Sequence, residues 1–277
     1  MTEPASHSIP PRRVGSDGPF FAALGVLGGS YVLLIVAMLV ADASFTSPLH
    51  LWRALGSPEI RYAIKLSLIS CTAATLLALW VAVPLGYVLA RFRFRGHTLI
   101  EAILDIPIVL PPLVVGLSLL ILFQTPPGRM IEKVLPLTYA IPGVILAQFT
   151  VSAAFAVRAM RITFDRINPR SEQVALTLGC SRAQAFWLVV LPEARGGILA
   201  AASLAWARAL GEFGPILVFA GATRMRTEVL STSVFLELSI GRIEGAVAVS
   251  LIMIIAAIAA LAVIRFAGGG RGFDSRP

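Results

Sequence analysis

The sequence predicts an all-α integral membrane protein of six transmembrane helices, and three observations carry that prediction. The first is composition: 57% of the 277 residues are hydrophobic and only 14% are charged, with a mean hydropathy of +0.85, whereas soluble domains carry roughly a quarter charged residues. The second is length. At about 20 apolar residues per span the chain has room for roughly five to seven spans and none for a separate soluble domain. The third is the placement of Lys and Arg, which are twice as frequent in one alternating set of loops as in the other, so both chain ends fall on the cytoplasmic side.

Taken in order, residues 1–19 are rich in Pro, Gly and Ser around Arg12-Arg13 and read as a disordered cytoplasmic tail. A first span is expected at about 20–41, too long for the apolar core of a signal peptide. Pro48, Trp52 and Pro58 mark an external loop with a short interfacial helix. The second span, about 62–90, carries Pro84 and Gly86, which predict a kink, and it ends in Arg91, Arg93 and Arg95. The third, about 99–123, contains Pro107, Pro111, Pro112 and Gly116. Carbonyls left unpaired by proline survive in a bilayer only where protein or a water-lined cavity satisfies them. These prolines therefore read either as part of a path or as a structural kink.

An external loop is expected from Gln124 to Tyr139, then a fourth span at about 141–159 leading into Arg158, Arg161, Arg166 and Arg170. A cytoplasmic loop, about 160–197, follows. It contains a polar island, Asn168 to Pro192, that reads as two short helices meeting at Gly179. Pro169 suits a first helical turn, Glu172 favours the positive end of the helix dipole, and Ser181 is a candidate N-cap. The fifth span is expected at about 198–219 and the sixth at about 245–266, with an external amphipathic helix between them carrying Val229, Leu230, Ser233, Val234, Glu237 and Leu238. Residues 267–277 form a C-terminal tail.

The polar island resembles the cytoplasmic docking loop of binding-protein-dependent ABC importer permeases. The family pattern is Glu-Ala-Ala, three residues, Gly, nine residues, Ile, one residue, Leu-Pro. Here it becomes Gln173-Val174-Ala175, Gly179, Val189 and Leu191-Pro192. The family's glutamate falls on Gln173, with Glu172 one place earlier. What the resemblance implies is a type I importer permease fold in which Arg170, Glu172, Gln173, Ala175, Gly179, Leu191 and Pro192 meet an ATPase subunit.

The fifth span holds Ala207-Arg208-Ala-Leu-Gly-Glu212-Phe213-Gly214-Pro215. Charges within a membrane helix are rare and are functional suspects by default. Arg208 and Glu212, four residues apart, read either as a neutral pair that lets the span insert or as the lining of a path broken by glycines. This run, and the Ile-Val-Leu-Pro-Pro of the third span, are similar to the molybdate, tungstate and sulfate permeases. The resemblance implies a translocation path or gate at Pro107, Pro111, Pro112, Arg208, Glu212, Phe213 and Gly214. It also implies two ATPase subunits, a second permease subunit forming a homodimer, an extracytoplasmic solute-binding protein, and a bacterial or archaeal cytoplasmic membrane.

Other chemistries lack their residues. Neither Lys65 nor Lys133 follows a glycine-rich phosphate loop, so no catalytic residue is expected and ATP is left to a partner subunit. Scattered His7, His50 and His97 and separate Cys71 and Cys180 make metal binding and a disulfide unexpected. Loop arginines without an aromatic-studded polar surface argue against nucleic acid. An ion-gradient-driven transporter or channel is the alternative, with Asp105 and Glu212 as the intramembrane acids it could use for coupling.

Overall fold

The structure is a computed structural model that describes residues 18–268, all helix, turn and loop. Most of the expected tails, with Arg12, Arg13, Arg271 and Arg276, lie outside the described residues, while residues 18–19 and 267–268 belong to helices. The chain divides into two units, residues 1–45 and 46–277. In the first, helix α1 (Gly18–Phe45) is 28 residues long and apolar enough to cross a membrane.

The second unit is built on α3 (Pro58–Arg91), which begins under Ser57, whose hydroxyl accepts from the Ile60 amide at 3.3 Å. Pro58 and Glu59 occupy the first turn, as the helix dipole and the missing proline N–H favour. Ala74, Ala78, Ala82 and Gly86 recur every fourth residue and are buried. That small-residue stripe brings α7 (Ile141–Arg166) close. A Cβ on Gly86 would stand 2.8 Å from Cβ of Met160. The opposite face, with Leu76, Leu77 and Trp80, is exposed, as on a helix solvated by lipid. The helix continues unbroken through Pro84, where the sequence suggests a kink.

A short helix, α2 (Pro48–Gly56), precedes α3 as expected. The third predicted span is instead two helices, α4 (His97–Val109) and α5 (Pro112–Gln124), bent by 113° at Leu110–Pro111. The cause is local: Pro111 forces Leu110 out of the helical region to ψ 140, and neither Pro111 nor Pro112 can donate a backbone hydrogen bond. Where an external loop is expected, α6 (Pro126–Val134) forms under Thr125.

After α7 the polar island folds as α8 (Pro169–Thr177) and α9 (Arg182–Ala185). A π-helical turn over Phe186–Val190 follows, then α10 (Leu191–Glu193). The chain bends by 69° into α11 (Arg195–Leu210). The island's second half therefore does not stop at Pro192 but runs on into the next long helix. The predicted fifth span is helical only to Leu210, and a second π-helical turn, Ile216–Ala220, resumes after a break. Helices α12 (Leu230–Ser239) and α13 (Ile243–Gly268) complete the unit. Among the described residues, four helices are long and apolar enough to span a membrane, or up to six if each bent pair is one span. The second bent pair joins Arg182–Glu193 to α11, not α11 to the segment beyond Leu210.

Candidate coupling and translocation sites

The island is an elbow attached to the bundle by one of its faces. The Asn168 side chain accepts from the Arg170 amide at 3.0 Å to start α8. Gly179 ends it at φ +94, and the Cys180 amide donates back to the Ala175 carbonyl at 3.1 Å. Ser181 and Gln184 then cap α9 reciprocally, at 3.3 and 2.8 Å, which confirms the N-cap read at Ser181. Glu172 and Ala175 face inward, whereas Arg170, Gln173, Gly179 and Pro192 are exposed and Leu191 is half-buried. Val174 and Leu178 add apolar surface to the outer face.

Glu172 is already engaged within the chain. Its Oε1 accepts from the Tyr87 hydroxyl at 2.6 Å, and its Oε2 lies 3.4 Å from Nε of Arg91. Arg91 also donates through Nη2 to the Ile167 carbonyl at 3.0 Å. The Tyr87 ring packs edge-on against Phe92, Phe164 and Phe186. The elbow is thus fastened to the last turn of α3. Sequence reasoning missed Tyr87 and passed over Arg91 as one member of a basic cluster. The available signal was their spacing of four, which puts both on one helical face.

Two arginines toward the end of α7, Arg158 and Arg161, are also paired. Arg161 forms an ion pair with Glu101 and lies 3.8 Å from Asp165, and Arg158 is 3.9 Å from Asp105. His97 contacts Glu101 at 3.5 Å through Nδ1 and the Leu89 carbonyl at 2.9 Å through Nε2. These links fasten α4 to α7 and α3 at the elbow end.

About 20 Å along α11 from Arg195, at 1.5 Å per residue, lies the second constellation. Arg208 Nη1 is 2.7 Å from Oε1 of Glu212, and its guanidinium stands 5.4 Å from the Phe155 ring centre. Glu212 is 1% exposed, and its Oε2 has no hydrogen-bond partner. Just beyond it the two broken segments meet backbone to backbone. A Cβ on Gly214 would lie 2.9 Å from the Leu113 amide, and one on Gly116 2.8 Å from Cα of Pro215. Pro112 and Gly214 therefore come together, and Pro111 adjoins them in sequence, while Pro107 sits within α4 about one turn before the bend. Phe213 packs on Phe235 of α12, centroids 5.3 Å apart. The Ser231 hydroxyl donates to the Glu212 carbonyl at 2.7 Å and ties α12 to the break.

At the end of the bundle away from the elbow, α12 buries Leu230, Thr232, Ser233 and Glu237. The Leu230 amide donates to Ser67 Oγ at 2.8 Å. Arg224 holds Glu237 at 2.7 Å and Glu228 at 3.8 Å, and Ser233 donates to Glu228 at 2.8 Å. Burial pushes the Glu228 carboxyl above its ordinary range, against the opposing influence of Ser233 and Arg224. Hydrogen bonding to Glu237 raises Arg224.

The sequence profile of the binding-protein-dependent transport system inner membrane component matches residues 82–268. The chain belongs to that family. Among relatives of this inner-membrane component, the sulfate transport system permease protein CysT of Escherichia coli (strain K12) is 33% identical, covering 75% of this chain and 76% of its own. The molybdate/tungstate transport system permease protein WtpB of Pyrococcus abyssi is 37% identical over 72% of this chain and 76% of its own. The molybdenum transport system permease protein ModB of Mycobacterium tuberculosis is 32% identical over 90% and 94%. The fold is shared with the solved structure of a bacterial ABC transporter that imports the acidic polysaccharide alginate, at TM-score 0.68 and 19% identity over 91% of this chain and 96% of that one. This family member is therefore a multi-pass inner-membrane permease subunit of the ABC importer type.

Proposed function

We propose that the chain forms the translocation path of an ATP-driven importer for a tetrahedral oxyanion, molybdate or tungstate first and sulfate next. It works as a homodimer of six-span subunits with both ends cytoplasmic. Two copies of a separate ATPase supply the energy, and an extracytoplasmic binding protein delivers the anion. The anion class rests on what the sulfate, molybdate/tungstate and molybdenum permeases named above transport.

The observation that carries the coupling role is the two-faced elbow. Its outer face presents Arg170, Gln173, Val174, Leu178 and Gly179 to a partner, and its inner face is tied through Glu172 to Tyr87 and Arg91. Force applied outside would pass into α3 and, through the 69° bend, into α11, which ends at Arg208 and Glu212. Rigid elements sliding about such a bend are an ordinary route for switching a path. Arg208 and Glu212 offer little net positive charge as a pair, so selection of the anion falls to the binding protein and gating to the break.

Reconstitution tests the reading. The chain, its co-purified ATPase and binding protein in vesicles should take up labelled molybdate, tungstate or sulfate only with ATP. Uptake that ran equally well without ATP, or ATPase binding unaffected by Gly179→Val, would overturn it.

A further inference from the structure

A cavity lies apart from both constellations, at the end of the bundle opposite the elbow. It encloses about 670 Å³ between α2, α3, α12 and α13. Arg53, Arg224, Arg242 and His50 line it, with Glu59 and Glu237. Arg224 is committed to Glu237 at 2.7 Å. Among the described residues neither Arg53 nor Arg242 has an ion-pair partner, and Nδ1 of His50 is buried without a hydrogen-bond partner. The side chains that line the cavity are thus three arginines and two acids, while Glu228 behind Arg224 is also within that arginine's reach at 3.8 Å. The cavity lining therefore carries one more cation than anion, with Arg53 and Arg242 as its unpaired arginines, and an imidazole nitrogen without a partner.

Its surroundings indicate where an anion would come from. Leu49, Trp52 and Leu55 recur at three-residue spacing on α2 and are exposed. An amphipathic helix with an outward Trp belongs at a membrane–water interface. Arg53 follows Trp52 directly, and Ile60, Ile240 and Val249 give the same cavity an apolar wall beside its arginines. Arginines above an apolar wall at the interface suit a phosphodiester whose acyl chains continue along the helices.

We propose that this cavity is a binding site for a tetrahedral phosphate-type oxyanion, presented by a lipid headgroup and held by Arg53 and Arg242. A singly charged phosphodiester suits a lining with one cation in excess better than a free dianion does. The site is distinct from Arg208 and Glu212, and it stands whether or not the substrate assignment above does.

The test uses the full chain in its assembled complex, purified in detergent and washed free of excess lipid. Native mass spectrometry counts retained phosphatidylglycerol against diacylglycerol, which lacks the phosphate, in the parent and in Arg53→Gln/Arg242→Gln. The expected result is retention of phosphatidylglycerol alone, weakened roughly thirtyfold in the double variant and largely restored in Arg53→Lys/Arg242→Lys. An unchanged thermal midpoint shows that the glutamine variant is folded. Displacement of the lipid by millimolar inorganic phosphate would keep the oxyanion chemistry but assign the site to a free anion, overturning the lipid source. Equal retention of diacylglycerol, or no loss in a folded glutamine variant, would overturn the site itself.

Discussion

Tyr87 and Glu172, 85 residues apart in the chain, meet at 2.6 Å and join the elbow to the last turn of α3. A hydrogen bond to a charged acceptor contributes about 1.5–3 kcal/mol, and this one is shielded by Phe92, Phe164 and Phe186. Tyr87→Phe should lower stability by about 1–2 kcal/mol and leave ATPase binding to the outer face of the elbow nearly intact. Transport per ATP hydrolysed should fall. Thermal unfolding in detergent and paired uptake and hydrolysis assays would check both.

Glu172→Ala should cost more than Tyr87→Phe, because it strips two groups of their partner and leaves the Arg91 guanidinium, 10% exposed, without its carboxylate. Glu172→Gln keeps an acceptor for Tyr87 and should fall between the parent and the alanine variant. The order of the three unfolding midpoints is the measurement.

Gly179 can be tested for backbone strain alone. A Cβ there meets nothing within 4 Å, yet φ is +94. Gly179→Ala should therefore cost about 1–2 kcal/mol through the left-handed conformation, and Gly179→Asn less. Gly214→Ala and Gly116→Ala fail for a different reason, contact with backbone at 2.9 and 2.8 Å. Each should destabilise by about 1–3 kcal/mol through overpacking, and the double variant should cost less than the sum because both press on the same crossing.

Glu228 predicts a pH dependence. Burial raises its carboxyl, more than Ser233 and Arg224 lower it, while neighbouring Glu237 pushes in the same direction as burial. Between the ordinary value of 4.5 and the raised one, the folded chain binds more protons than the unfolded chain. Stability contributed by the protonated form is thus complete in acid and lost as pH rises through that interval. The unfolding midpoint should decline from about pH 4.5 upward, and Glu228→Gln should flatten the profile.

At the break, Arg208→Ala leaves a carboxylate that is 1% exposed without its cation, whereas Glu212→Gln leaves an arginine that is 31% exposed and can still reach solvent. The first should destabilise more, by up to about 3 kcal/mol, and a double-mutant cycle would isolate the pair's own contribution. If both single variants stayed stable but lost uptake, the pair would belong to the path.

Local signals survived folding wherever one short stretch decides the outcome. Ser181 caps the helix that follows it as its sequence suggests, because a cap needs only its own side chain and the next amide groups; Ser57 and Asn168, not singled out in the sequence, cap α3 and α8 in the same way. Pro84 alone does not break its helix. Pro111 and Pro112, two in a row, turn a predicted kink into a 113° bend. The extent of the fifth span was also misjudged, because apolar composition continues past Leu210 although the helix does not.

From the residues alone came the helical membrane class, the turn at Gly179, the pairing of Arg208 with Glu212 and the family resemblance of the elbow. All four depend on composition or on neighbours within a few residues. Only the tertiary structure decided that Glu172 turns inward to Tyr87 while Gln173 faces out, that the two broken helices cross at Gly116 and Gly214, and that Arg53 and Arg242 share a cavity. Those contacts join segments far apart in the chain, and the helix packing that creates them follows from side-chain shape and burial summed over the whole bundle.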